Sequence, residues 1–109
     1  MTPEDRYAQL VDKFSGRRDV TSVQGKGFGS TGQLKIGGRI FAMLVRGELV
    51  VKLPRERVET LVESRDGKYF DAGKGKPMHE WLVLSPTSKK QWLPLAKQAM
   101  DFVGGNVLR

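Results

Sequence analysis

The segment from Gln33 to Leu53 constrains this chain more than any other part of it. Three short extended stretches follow one another there, separated only by Gly37-Gly38 and Arg46-Gly47. Glycine reaches positive φ without steric cost, so Gly37-Gly38 reads as a two-residue hairpin turn. Leu34 and Ile36 flank an outward Lys35, the alternation expected of a strand. Arg39–Val45 and Glu48–Leu53 read as two further strands, joined through Arg46-Gly47. Val20 and Val23 add a short extended candidate upstream. The segment therefore predicts an antiparallel meander of three or four strands.

One property of this meander bears on partners. Every position from Ile40 to Val45 is apolar, and Leu49-Val50-Val51 is nearly as continuous. An antiparallel strand with one face in water should alternate instead. Something must cover the second face of the hairpin. A helix on each side would do so, as would long side chains over a central strand. A homodimer or protein partner would do so as well, with Phe41, Met43, Val45 and Val50 as the partner face.

The flanking segments read as helices. Thr2-Pro3-Glu4-Asp5 offers an N-cap, a proline at the first helical position and acids in the first turn. Tyr7, Leu10, Val11 and Phe14 then recur at helical spacing, which predicts a helix over about residues 3–14. Pro54 opens a second helix with Val58, Leu61 and Val62 on one stripe, ended by Asp66-Gly67. Residues 66–77, with three glycines and Pro77, read as a long exposed loop, and Glu80–Leu84 as a last strand. A final helix over about Ser88–Val103 gathers Trp92, Leu95, Ala96, Ala99 and Val103 on one face, with Gly104-Gly105 as its stop. Pro94 either kinks this helix or lies near its start. The expected order is α-β-β-β-β-α-β-α. That is an α+β fold with an antiparallel sheet of about five strands flanked by helices, in one domain over residues 1–109.

Composition narrows the function classes. The chain has no cysteine and one histidine, His79. Disulfides, thiolate metal sites and cysteine nucleophiles are thereby excluded, and a zinc site would need carboxylates for all its other ligands. No catalytic residues, metal or cofactor are expected. No basic and apolar leader is visible, and the longest apolar run is far shorter than a membrane span, so a cytoplasmic, membrane-free protein is expected. The net charge is +7, and residues 15–53 alone carry +5. Such an excess keeps a small domain soluble. It also fits phosphate binding, with Arg17, Arg18, Lys26, Lys35 and Arg39 as the anion or nucleic-acid surface.

Three local patterns carry residue types that chemistry could use. Gly27-Phe28-Gly29-Ser30-Thr31-Gly32 matches G-x-G-x-x-G, yet a strand is expected after it where a dinucleotide site needs a helix N-terminus. The glycines and Lys26 could still form an anion-binding nest. His79 has Ser85, Ser88, Glu80 and Asp71 nearby in sequence, but no spacing that assembles a triad. Arg65, Lys68, Lys74 and Lys76 interleave with Tyr69 and Phe70, the mixture that binds single-stranded nucleic acid. The same rings could instead anchor a loop on the core.

Taken together, Gly25–Gly32 ahead of a strand, Gly38–Val45 with Gly47, Leu49–Leu53, Phe70, Gly75-Lys76-Pro77-Met78, Trp81, and Trp92, Leu95, Ala96 and Ala99 resemble the N-terminal domain of the TfoX/Sxy family of bacterial competence regulators. The likeness covers about residues 7–103. It implies an α+β domain with an antiparallel sheet flanked by helices and supplies no catalytic residues; with the two-sided apolar hairpin at residues 40–51, the expectation is a stand-alone regulatory module, transcription-linked in one reading, that acts through a protein partner.

Overall fold

A computed structural model describes residues 2–14, 16–17, 19–23, 32–70, 78–85, 88 and 91–107. The order is α1 (Pro3–Phe14), β1 (Val20–Val23), β2 (Gln33–Ile36), β3 (Arg39–Val45), β4 (Glu48–Lys52), α2 (Arg55–Glu63), β5 (Gly67–Phe70), β6 (Met78–Leu84) and α3 (Trp92–Val107). The six strands form one antiparallel sheet in the order β1-β2-β3-β4-β6-β5. The α+β class is as expected, with one more strand than the sequence suggested.

The turns and caps follow the residues that were expected to make them. Gly37 and Gly38 both have positive φ, 58° and 82°, and close the β2–β3 hairpin. Arg46 and Gly47 do the same between β3 and β4, at 51° and 79°. At α1 the Asp5 N–H donates to Thr2 Oγ1 at 3.0 Å, and the Thr2 N–H donates back to the Asp5 carboxylate at 3.3 Å. This reciprocal pair satisfies donors that the first helical turn leaves open.

Two segments differ from expectation. Gly67–Phe70, read as loop, is edge strand β5 paired with β6. Its start is held by Asp66, whose carboxylate accepts hydrogen bonds from Ser64 and Ser88 and whose carbonyl accepts the Ser85 N–H. The rest of the expected loop, residues 71–77, lies outside the described residues. The final helix starts at Trp92, so Pro94 occupies its first turn, where no intrahelical N–H is required of it. Gly104-Gly105 do not stop it. A Cβ on Gly104 would lie 2.8 Å from Ile36 Cδ1, so the glycine lets α3 lie close to β2.

The core forms on one side of the sheet. Leu34, Ala42, Leu44, Leu49, Val51, Leu82 and Leu84 join a single cluster with Tyr7, Leu10 and Phe14 of α1, Val58 and Leu61 of α2, and Leu95, Ala96, Ala99 and Val103 of α3. Arg57 of α2 donates to Gln98 of α3 at 3.3 Å, one link between these helices. Among the described residues, the buried side chains of all three helices belong to this one cluster. Val50 and Val83, paired with each other on β4 and β6, are buried but stand outside it, on the opposite face.

Candidate functional site: the open face of the sheet

The register fixes which side chains share the face away from the helices, because residues directly opposite in an antiparallel pair point the same way. Gln33, Met43, Val50, Val83 and Lys68 form one row across five strands. Beside it, Thr21, Lys35 and Ile40 make one end of a second row, with Lys52 and Trp81 at the other end. Val45 and Glu48 pair on the other side. Met43, Val45, Ile40, Lys52 and Trp81 are half-buried, and Lys68 is exposed. The face therefore mixes an apolar floor with cations.

The expected partner face is only partly present here. Leu34 pairs with Ala42 and Lys35 with Ile40, which leaves Phe41 as an extra residue in β3. A bulge of this kind re-aims a side chain. Phe41 is fully buried and its ring meets Phe14 of α1 edge-on at 5.5 Å, so it belongs to the helix-covered core and not to a partner face. The bulge accounts for two consecutive buried residues, Phe41 and Ala42, while Ile40, Met43 and Val45 keep apolar side chains on the open face. Val50 has no exposed surface. Met43 and Val45 are the members of the expected set that remain accessible.

The expected basic surface divides in the same way. Lys35 is on the open face. Arg39 pairs with inward-facing Ile36, and exposed Arg17 lies 5.4 Å from the Phe14 ring centroid, so both belong to the helix side. Arg18 and Lys26 lie outside the described residues, as does the glycine stretch before Gly32. Gly32 leads straight into β2 and not into a helix.

Sequence reasoning missed Lys52 and Trp81 as a pair. The Lys52 ammonium sits 5.7 Å from the Trp81 ring centroid, in range of a cation–π contact. They meet only because β6 is inserted beside β4, a crossover that residue spacing does not reveal. Between the β3–β4 turn and β5 lies a groove of about 190 Å³. Val83, Tyr69 and Phe70 line it together with Arg46, Glu48 and Lys68. Tyr69, from the same cation-and-ring segment, packs against the core cluster and touches the His79 ring at 5.0 Å.

Among the described residues no group of three His, Asp or Glu could hold a metal ion. Tyr7 is held well above the ordinary tyrosine pKa by burial, and its hydroxyl points at the Ala42 carbonyl, 3.5 Å away. Among the described residues no helix is long and apolar enough to cross a membrane. Comparison with family models, with curated proteins and with solved structures gives no match to this chain.

Proposed function

We propose that this chain is a non-enzymatic interaction module whose working surface is the open face of its sheet. The carrying observation is the asymmetry of that sheet. The buried side chains of all three helices are committed to one face, while half-buried Met43, Val45 and Trp81 lie on the other. Apolar side chains in that setting mark a surface that a partner completes. A regulatory role of the kind implied by the TfoX/Sxy resemblance needs nothing further, because it requires binding and no chemistry.

The charges describe the partner. Lys35, Lys52 and Lys68 project from this face and Arg46 sits at its rim, against one carboxylate, Glu48, among the described residues. A second copy fits poorly, since two such faces cannot neutralise each other. An acidic protein surface satisfies the description, and so does a nucleic-acid strand.

The test is a capture experiment in which the wild-type chain is compared with two variants. Met43→Glu/Val45→Glu alters the open face, and Lys97→Glu alters the exposed side of α3. Loss of the captured partner with the first and retention with the second supports the reading. Retention by both variants, or capture of nothing by the wild type, overturns it.

A further inference from the structure

The occupant of the open face follows from how its cations and rings are arranged. Lys35, Lys52 and Lys68 stand on β2, β4 and β5, the second, fourth and sixth strands in sheet order. Neighbouring strands are about 4.8 Å apart, so successive lysine-bearing strands are separated by roughly 10 Å. That is close to the screening length at physiological salt, so the lysines repel one another weakly while each still attracts a phosphate. Trp81 is on β6, between the strands of Lys52 and Lys68, and Phe70 follows Lys68 on β5 and lines the groove.

We propose that this face binds single-stranded nucleic acid, with phosphates on Lys35, Lys52 and Lys68 and bases against Trp81 and in the groove beside Phe70. The proposal rests on the open face being the working surface and selects its partner. Alternation of cations with ring faces on a flat sheet suits unpaired bases, which stack, better than a duplex, whose grooves admit a protruding helix or ribbon. The groove holds about 190 Å³. Drug-sized ligands need about 300–1,000 Å³, so it offers room for a single ring system. Arg46 and Lys68 at its edge are placed for the adjoining phosphate, and Glu48 can accept a base amino group. A base stacking on Trp81 takes the position that the Lys52 ammonium now holds, and frees that ammonium for the backbone.

The experiment is fluorescence anisotropy with labelled 12-residue single strands of DNA and RNA, the matching duplex, and polyglutamate. Each is titrated at about 50 and 200 mM salt. Three to four neutralised phosphates predict a weakening of roughly 20- to 50-fold over that range for the single strands. Lys52→Ala/Lys68→Ala should weaken binding at least tenfold and flatten the salt dependence, while Arg17→Ala/Arg39→Ala on the helix side should not. In a Trp92→Phe background the remaining tryptophan, Trp81, should be quenched by the single strand. Absence of single-strand binding at 50 mM overturns the inference, as does binding that depends on Arg17 and Arg39 but not on the lysines. Polyglutamate bound through the lysines with no oligonucleotide binding also overturns it. That outcome leaves the interaction-module reading standing with an acidic protein as partner.

Discussion

Phe41 and Met43 are two residues apart on β3, yet they face opposite conditions. Phe41 is enclosed by α1 and the core, whereas Met43 stands half-exposed on a face that the helices do not cover. Along this strand, apolar sequence alone does not distinguish a residue that stabilises the fold from one left for a partner. Removing each side chain separates the two roles. Phe41→Ala should cost about 3–5 kcal/mol, the range for large-to-small changes at enclosed aromatic sites. Met43→Ala should cost under about 1 kcal/mol, because little enclosed volume is emptied. Urea denaturation of both variants measures the contrast, and equal losses would mean that the open face is as tightly packed as the covered one.

Much of the covered face was legible in the sequence. The helical stripes of α1 and α2, the glycine turn and the first cap are local, and each depends on residues a few positions apart. The open face was not legible, because its composition depends on two non-local events. The bulge at Phe41 appears only when β2 pairs with β3, and Lys52 meets Trp81 only when β6 enters beside β4. Gly67 was misread for a similar reason. Beside Asp66 it looked like a helix stop leading into a loop, but on the structure it starts an edge strand where no side chain fits.

Gly67 is where the covered face runs out of room. A Cβ there would come within 2.5 Å of the Val83 carbonyl oxygen and 2.6 Å of Leu82 Cδ1. The Leu82 methyl can move, but the carbonyl belongs to the β6 backbone and cannot move without disturbing the sheet. Gly67→Ala should therefore destabilise by roughly 1–3 kcal/mol, as overpacking does. Hydrogen exchange should show the loss concentrated in β5 and β6. Unchanged protection of these strands would mean that β5 is held by Asp66 and its serine partners rather than by close strand contact.

Tyr7 gives the smallest effect and the finest test of how closed the covered face is. Its hydroxyl is buried with a long contact to the Ala42 carbonyl, and burial raises its pKa above the ordinary value of about 10. The folded chain therefore keeps a proton that the unfolded chain releases once the pH passes that value. Stability involving Tyr7 is complete below pH ~10 and falls as the pH rises toward the folded-state pKa. The slope is at most about 1.4 kcal/mol per pH unit. The useful quantity is the difference between the wild type and Tyr7→Phe, in which contributions common to both cancel. Near neutral pH the two should lie within about 1 kcal/mol, since the hydroxyl contact is weak. From pH 10 to 11 the wild type should lose about 1 kcal/mol more than Tyr7→Phe. Parallel curves across that range would mean that water reaches the Tyr7 hydroxyl between α1 and the sheet, and that the covered face is less closed than its packing implies.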